Sequence, residues 1–552
     1  MSLFDTLLLD PAPFQIWIAN RSDLLTGSGT ASDPYNGGVV GGVSQFDIVM
    51  NRTDVALANV VIHLGPGTFV TNGYADNVVG GWKIQPGMKI LGSGIDVTIL
   101  QINNTSMTAA RHYFAVGHPV LASDVARDYF ELSDLTVDAN LPSSSTLVAC
   151  GAVRVLGSYA RIRRVKAINW GTNSVSVPCY VFSLLTANPG ATPLPLEAVN
   201  CGIEDCYGVK PATTVAGGSV TVVNVGSQLD LSFTSEIHAK SPFVRNCYVD
   251  CGVGTPSVTA PIFRALSMGW CRGGVLEGNQ IYNADIGGPY QDGRSVRDMI
   301  VRNNFFKNVA RGPFLNLGQV ITTNLTSGGT GITWSSGIGH VSGGTMNLAS
   351  LSNGDRVSLK TTPTQSTVDG VYVVTNLTGN TRFDVVTNVA SPVNGNISSI
   401  QKILSVGRAI VEGNVIELAP NTTAGQNGVA LGVSDNNAGG TPYIEPPDYA
   451  HGDIVFRNNK IRYVDGVFNA SNLGYGSDVS GAKNLQVLNN VVDCAPVNPL
   501  KNSRTGNATY FNNLTSNGVL IQGFKADAPT KKYDELATQA DDAFVMAFAE
   551  GT

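Results

Sequence analysis

One pattern of apolar and polar positions recurs through most of the chain. Each unit has an apolar residue, a polar residue, a small or turn-forming residue, and then a short stretch in which apolar positions alternate with others. Nine such units lie at residues 132–139, 162–169, 203–210, 244–251, 276–283, 301–308, 411–418, 456–463 and 487–494. Their spacing varies, but its minimum is 25 residues. A repeated unit of constant length, separated by a variable number of extra residues, is typical of a solenoid whose turns carry inserted loops.

The periodicity within the units distinguishes between kinds of solenoid. Apolar residues alternate by two rather than by three and four, which excludes helical repeats. The alternating residues are β-branched or aromatic, and the turns carry Gly, Asn and Asp. A turn of this length accommodates three short strands and three bends. The sequence therefore predicts an all-β fold, a right-handed single-stranded parallel β-helix of about a dozen coils, three of which precede the nine aligned units.

The fourth position of the unit carries a polar residue in its later copies. It is Leu, Val, Cys and Cys in the first four units and Asn in the last five. In a stacked coil, an amide at a bend donates to the amide of one neighbouring coil and accepts from the other, which satisfies groups that would cost roughly 1–3 kcal/mol each if buried without partners. We therefore expect a structural ladder rather than a functional site at Asn279, Asn304, Asn414, Asn459 and Asn490.

One spacing, 110 residues between Asn304 and Asn414, is far larger than the others. Removal of residues 319–403 restores the minimal spacing. This block is rich in Gly, Ser and Thr and contains alternating strands with Asn-Gly and Asp-Gly turns, so we interpret it as an inserted small antiparallel β-domain. Its segments NGDRV and DGVYVVTNLTGNTRFDV resemble a small β-barrel module of phage and prophage tail proteins. A generic hairpin domain is the alternative.

The ends of the chain are predicted to be helical. The segment SQFDIVMNR, at residues 44–52, is a short amphipathic helix opened by a Ser cap, Ser44. Near the other end, apolar residues recur at helical spacing over 531–550, which predicts a C-terminal plug or an oligomer contact. The domains are then residues 1–60 with the capping helix, 61–318 and 404–515 forming the β-helix around the insert, and a tail at 516–552.

The N-terminal region resembles the entrance of the pectate-lyase-like β-helix superfamily, which includes many phage tailspikes. The likeness lies in Phe46–Met50, Gly65–Thr68 and Ile90–Thr98. It implies a helix that covers the first coil, and it implies a homotrimer, because tailspikes of this type are commonly trimers. The catalytic signatures of the superfamily's pectate lyases and polygalacturonases are not found, so the resemblance carries no catalytic residues onto this chain.

Composition narrows the classes of partner. Only 14 % of the residues are charged and the net charge is −6, with no basic stripe, so we expect no nucleic-acid partner. No apolar run reaches about 18 residues, so we expect no membrane insertion, and the start of the chain does not read as a secretory signal. The eight Cys are interpreted as buried thiols rather than zinc ligands or disulfides. No metal and no cofactor are predicted.

Two loops combine aromatic rings with carboxylates. They span residues 284–298 and 434–453. Sugar sites need this combination, because rings stack on the apolar faces of sugars and carboxylates bind hydroxyls, and two carboxyl groups about 5–9 Å apart can also hydrolyse a glycosidic bond. Ordinary solvated loops are the alternative. The candidate glycan-binding residues are Tyr290, Asp292, Tyr443, Glu445 and Asp448, and catalytic residues remain unassigned.

These features favour a virion or extracellular appendage protein that presents a β-helix surface to cell-surface polysaccharide and associates with copies of itself. The first alternative is a β-helix enzyme that cleaves glycans, either a glycoside hydrolase or a polysaccharide lyase. The second is a purely structural filament or decoration subunit that binds only copies of itself.

Overall fold

The computed structural model describes residues 14–75, 81–117, 127–143, 147–185, 198–212, 214–226, 239–257, 262–269, 271–289, 296–320, 325–362, 370–386, 393–404, 408–420, 428–435, 451–464, 474–480, 482–493, 500–503, 507–521 and 523–525. Within these residues the chain winds into a β-helix whose coils contribute to three parallel sheets, with one antiparallel insert.

The first sheet is a stack of parallel strands, each paired with its equivalent in the next coil. Among the described residues it has thirteen strands: Phe14–Ala19, Val60–Leu64, Lys89–Leu91, Glu131–Asp138, Arg161–Ile168, Gly202–Glu204, Phe243–Arg245, Val275–Glu277, Met299–Arg302, Ala409–Glu412, His451–Arg457, Ala482–Leu488 and Asn507–Phe511.

The second and third sheets follow in each coil. Glu131–Asp138 and Arg161–Ile168 continue from the first sheet into the second, whose other strands are Gly67–Thr71, Thr98–Ile102, Tyr207–Gly208, Tyr248–Asp250, Gln280–Ile286, Phe305–Arg311, Val415–Leu418, Lys460–Tyr463 and Val491–Asp493. The parallel strands of the third sheet are His112–Gly117, Ala149–Leu156, Cys179–Leu185, Val220–Gly226, Phe263–Gly269, Phe314–Val320, Gly428–Asp435, Gly474–Ser480, Leu500–Ser503 and Gly523–Lys525.

Short elements complete the coils. Tyr74–Ala75 and Gly171–Thr172 pair antiparallel with third-sheet strands, and Tyr35–Asn36 pairs with the first strand. A small parallel sheet lies beside one bend, a hairpin lies near the N-terminus, and a 3-10 turn follows the second sheet. The strands of the small sheet are Ala239–Lys240, Cys271–Arg272 and Val296–Arg297. The hairpin joins Val39–Val40 to Val43–Ser44, and the 3-10 turn is Asn104–Ser106.

The predicted fold class, a parallel β-helix with an antiparallel insert, is confirmed. The nine aligned units lie in successive coils, and three first-sheet strands precede them as expected. One coil was missed, because a further first-sheet strand, Asn507–Phe511, follows the ninth unit. Its sequence, YFNNL, has the same pattern of apolar, polar and turn residues, but the strand that should follow is replaced by a hairpin bridge between Leu514 and Leu520.

The bend between the first and second sheets repeats the same backbone conformation. The residue before the fourth position of each unit has a positive φ, between 49° and 67°. Gly, Asn and Asp adopt this left-handed conformation most readily, and they fill all of these positions except Arg164. The ten residues are Asp134, Arg164, Asp205, Asn246, Gly278, Asn303, Gly413, Asn458, Asn489 and Asn512.

Behind this bend the fourth-position asparagines form a continuous hydrogen-bonded column. The Nδ2 of every member but the last donates to the Oδ1 of the next asparagine at 2.9–3.0 Å, and that of the last, Asn513, donates to the Val487 carbonyl. Each Oδ1 also accepts the backbone N–H of the preceding asparagine, and each Nδ2 also donates to a carbonyl of the preceding coil. The column has one member more than the sequence predicted: Asn279, Asn304, Asn414, Asn459, Asn490 and Asn513, all buried.

The outer face of the first sheet carries a column of alternating charge. Strand register places these side chains in adjacent coils. Ion pairs join neighbours, with N···O distances of 2.7 Å for Arg163–Glu204, 2.8 Å for Arg302–Glu277 and 2.6 Å for Arg457–Glu412. We call this the charge column: Arg163, Glu204, Arg245, Glu277, Arg302, Glu412 and Arg457.

The described cysteines lie inside the β-helix. All seven have free thiols and are buried, and burial raises the pKa of Cys201 to about 12. Cys206 and Cys247 precede the asparagines in the same column, and the backbone N–H of Cys247 donates to Asn279 Oδ1 at 3.0 Å. The thiols therefore act as small core side chains.

The insert has its own sheet and core. Its strands are Gly331–Ser335, Ile338–Ser342, Arg356–Thr362, Gly370–Val373, Thr375–Thr378, Arg382–Val386 and Gly395–Leu404, all paired antiparallel. The side chains of its core, which include Val357, Leu359, Phe383 and Val385, form a cluster separate from that of the coils. Gln319 pairs with Leu404, so the two connections to the β-helix lie side by side.

Because these connections are adjacent, we expect the β-helix to fold without the insert. Deletion of residues 319–403, closed by a short turn, brings Met299–Arg302 and Ala409–Glu412 into a coil of minimal length, and these strands already pair with one another. The variant should show a single cooperative thermal transition with the far-ultraviolet circular dichroism of a β protein. Loss of cooperative melting would mean that the insert is part of the core.

A helix lies near the first coil, but its start differs from the prediction. The helix spans Phe46–Met50 and is capped by Gln45 without a side-chain hydrogen bond, so the predicted Ser cap is wrong. Ser44 ends a strand, and its hydroxyl donates instead to the carbonyl of Val70. The helix is anchored by Phe46 and by the buried Asp47, which accepts from Thr71 Oγ1 at 2.6 Å. The predicted C-terminal helix at 531–550 lies outside the described residues.

Candidate functional site

The predicted glycan-binding residues all lie outside the described part of the chain: Tyr290, Asp292, Tyr443, Glu445 and Asp448. The strands that flank their loops are described. The first loop follows Gln280–Ile286, and the second joins Gly428–Asp435 to His451–Arg457. The proposed role of these five residues stays a prediction.

The described residues present a different group of aromatic side chains, on the outer face of the second sheet. Strand alternation buries Gly208, Val249, Ile281 and Phe306 in the core, and it turns the residues on either side of them outward. The outward positions of four successive coils carry the group that we call the aromatic strip: Tyr207, Tyr248, Tyr282 and Phe305.

The rings of the aromatic strip contact one another along the helix axis. The centroid distances are 6.4 Å for Tyr207–Tyr248, 5.1 Å for Tyr248–Tyr282 and 5.7 Å for Tyr282–Phe305, with interplanar angles of 34°, 32° and 54°. Tilted ring pairs at such distances are favourable. Tyr207 is 42 % exposed and the other three are half-buried, so the strip is an apolar surface that solvent reaches.

Polar side chains border the aromatic strip. Lys166, in register with Tyr207, binds Asp96 at 2.7 Å. The Tyr282 hydroxyl donates to Gln280 Oε1 at 3.4 Å. Asp250, in register with Tyr282, accepts from Asn283 Nδ2 at 2.9 Å. The border thus supplies a cation, an amide and carboxylate oxygens within reach of a ligand lying on the rings.

Electrostatics affect one hydroxyl of the strip. The pKa of Tyr248 is raised, first because its partial burial disfavours the phenolate and then because Asp250 and Tyr282 add negative charge nearby. Tyr248 is therefore a neutral phenol at physiological pH, which both donates and accepts hydrogen bonds. A neutral hydroxyl beside a ring face suits an uncharged hydroxylated ligand.

The chemistry that this surface supports is binding. Its rings are held one per coil on hydrogen-bonded rungs about 4.8 Å apart, so the platform is rigid before any ligand arrives. Asp250, which is in register with Tyr282, also accepts the backbone N–H of Gly252 at 2.9 Å, which ties it to a bend. Among the described residues, no group of three or more His, Cys, Asp and Glu is placed to hold a metal ion.

The sequence contained a signal for this strip. The first strand residue after the bend is aromatic in three units, in the segments CYGVK, CYVDC and NNFFKN, and the fourth ring comes two residues later in NQIYN. In an alternation of apolar positions, aromatic residues are expected to face the core, so the sequence pattern alone does not place these rings on the surface. Only the register shows that these rings lie on the outer side of each strand.

Comparison with known proteins identifies similar architectures. No family model and no curated protein sequence matches the chain. Among solved structures, the A-module of the Azotobacter vinelandii mannuronan C-5 epimerase AlgE4 has 10 % identity and a TM-score of 0.35, covering 85 % of this chain and 91 % of that one. The pre-mature gene product 12 of bacteriophage phi29 has 11 % identity and a TM-score of 0.36, covering 86 % and 54 %.

A further similar structure is ORF18 of Geobacillus virus E2, with 12 % identity and a TM-score of 0.21, covering 70 % of this chain and 78 % of that one. The strand register described above defines the fold of this chain, and the activities named for these proteins belong to them. In the described part of the chain, no helix is long and apolar enough to cross a membrane.

Proposed function

We propose that the protein is a rigid appendage protein that binds a cell-surface polysaccharide through the aromatic strip. The observation that carries this proposal is the strip itself: four rings on successive coils joined by three ring contacts, reached by solvent and bordered by hydrogen-bonding groups. Isolated exposed aromatic residues are common on protein surfaces, whereas a contiguous line of them marks an interaction site.

The geometry suits a linear glycan that lies along the helix axis. The strands that carry the rings are about 4.8 Å apart along the axis, so an extended chain of linked sugars that lies along the axis meets one ring after another. Rings stack on apolar sugar faces, and the bordering Lys166, Gln280 and Asp250 offer partners for hydroxyls. A shallow surface of this kind binds weakly per site, and assembly of copies, predicted here to be a trimer, raises the avidity.

The test is binding to a printed array of purified bacterial cell-surface polysaccharides, followed by titration of the strongest ligand. Tyr207→Ala and Tyr282→Ala should each weaken binding about fivefold to tenfold, because each removes one stacking contact with the ligand. The melting temperature should change little for Tyr207→Ala, because its ring is 42 % exposed. Phe511→Ala is the matched control, since Phe511 is 43 % exposed on the first sheet.

The same panel separates the strip from the predicted loop site. Tyr290→Ala and Tyr443→Ala should abolish binding if the loops carry the site, and should leave it unchanged if the strip does. Reducing ends released from the bound polysaccharide, and lost in Asp292→Asn, would instead support the glycan-cleaving alternative. Binding that survives Tyr207→Ala and Tyr282→Ala would contradict the proposal, whatever the loop substitutions do.

A further inference from the structure

A second pair of aromatic rings lies at the bend between the third and first sheets. Tyr129 and Tyr159 occupy this bend in consecutive coils, two residues before first-sheet positions that are in register. Their rings stack with centroids 5.0 Å apart and planes 5° from parallel. Tyr129 is 60 % exposed and Tyr159 is 40 % exposed. The pair therefore projects from the rod instead of packing into it.

The backbone at this bend is left-handed in eight successive first-sheet coils. The same hydrogen bond repeats: the bend residue's N–H donates to a carbonyl of the next coil, as in Tyr129 to Ser158 at 2.9 Å and Tyr159 to Val199 at 2.8 Å. The positive φ thus comes from the shape of the coil and not from the side chain. The bend residues are Asn59, Gly87, Tyr129, Tyr159, Asn200, Ser241, Gly273 and Asp298, with φ between 50° and 70°.

Tyrosine is an unfavourable choice for this backbone. Six of the eight bend positions carry Asn, Gly, Ser or Asp, which are small or tolerate positive φ by local hydrogen bonding. A bulky side chain there is a genuine outlier. The two rings gain a stacking contact with each other but stay in reach of solvent, and strain that is retained at such positions concentrates at functional sites.

The surroundings define what the pair can hold. In the coil before Tyr129 the equivalent residue is Gly87, which has no side chain to cover the second face of the Tyr129 ring, and among the described residues that ring is 60 % exposed. Two residues further along, Lys89 and Glu131 lie in adjacent coils of the first sheet with their charged groups 3.9 Å apart. An open ring face beside a cation and a carboxylate matches a ring-shaped ligand with one apolar face and a hydroxylated edge.

We infer that Tyr129 and Tyr159 form a second sugar-binding subsite, which takes one pyranose unit on the open face of Tyr129. This inference rests on the proposed glycan-binding function and adds a contact separate from the aromatic strip. The strip lies on the second sheet in later coils, whereas the tyrosine pair lies at a bend beside the first sheet. A branch or a second chain of the same polysaccharide reaches this position.

The experiment measures thermal stability and binding in the same variants, using the polysaccharide array described above. Tyr129→Gly and Tyr159→Gly should raise the melting temperature, because glycine adopts positive φ without strain. They should also weaken binding about fivefold to tenfold, the effect of one lost stacking contact. Ser241→Gly is the matched control: it changes the same bend with φ 51° but removes no ring, so its binding should equal wild type.

Each outcome decides the inference. If Tyr129→Gly lowers the melting temperature, the tyrosines stabilise the fold and the inference fails. If Tyr129→Gly and Tyr159→Gly bind like wild type while Tyr207→Ala does not, the subsite is excluded and the proposed function stands. If wild type binds no polysaccharide, both are overturned. More stable variants with weakened binding support the subsite.

Discussion

Replacement of Asn304 by leucine is expected to lower the free energy of unfolding by about 2–4 kcal/mol, since removal of one partner leaves buried groups unsatisfied at roughly 1–3 kcal/mol each. Asn304 Oδ1 accepts both the Nδ2 and the backbone N–H of Asn279, at 2.9 and 3.0 Å. Its Nδ2 donates to Asn414 Oδ1 and to the Leu276 carbonyl. Leucine removes all four hydrogen bonds while the neighbouring groups stay buried.

Chemical denaturation monitored by circular dichroism measures this change. Gln486→Leu is the control, because it makes the same kind of substitution at an exposed first-sheet position, where changes stay within about 0.5 kcal/mol. An equally small change for Asn304→Leu would show that the column does not stabilise the fold. Asn304→Asp should also destabilise, because a carboxylate cannot donate to Asn414.

A larger loss is expected for Gly226→Ala. Gly226 ends a third-sheet strand with φ 109°, and an added Cβ would lie 1.7 Å from the carbonyl oxygen of Gly269 in the next coil. Parallel pairing to the coils on both sides fixes the spacing, so the backbone cannot move away. Overpacking and backbone strain together suggest a loss of roughly 3–5 kcal/mol.

The expected measurement is a lowered denaturation midpoint or failure to accumulate folded protein. Gly254→Ala is the matched control, because no heavy atom of the described residues lies within 4 Å of its added Cβ and its φ lies outside the left-handed range. That substitution should be neutral or stabilise the protein by about 0.4–1 kcal/mol, through the unfolded chain. Wild-type stability of Gly226→Ala would contradict the close approach of the two coils.

Sequence patterns predicted the parts of this fold that rest on local chemistry. Asparagine recurring in an otherwise apolar unit identified the column, because a buried amide needs a partner of its own kind above and below. The insert could be predicted because 110 residues separate Asn304 from Asn414 and the block between them contains Asn-Gly and Asp-Gly turns. The final coil was missed because Asn513 is followed by a hairpin instead of a strand, so only half of its unit is present.

Other features depend on register and were beyond the sequence. The aromatic strip could be predicted only if the outward side of each strand were known. In an alternating strand that contains aromatic residues, either set of alternate positions can face the core. The Ser44 cap failed because a Ser before an apolar run is compatible with a strand end as well as with a helix cap. Tyr129 and Tyr159 lie outside the aligned units, so their shared bend became visible only through strand pairing.

The charge column has a consequence for how this rod changes length in evolution. Neighbouring coils from Arg163 to Arg457 carry opposite signs, so duplication or loss of a single coil in this stretch would place like charges side by side, which is unfavourable. Adding or removing two coils together preserves the order. The alternation of charge therefore favours changes by two coils between Arg163 and Arg457. Single coils can be added without this penalty outside that stretch, where the same register positions are uncharged: Leu91 and Ser133 on one side, Leu488 and Phe511 on the other.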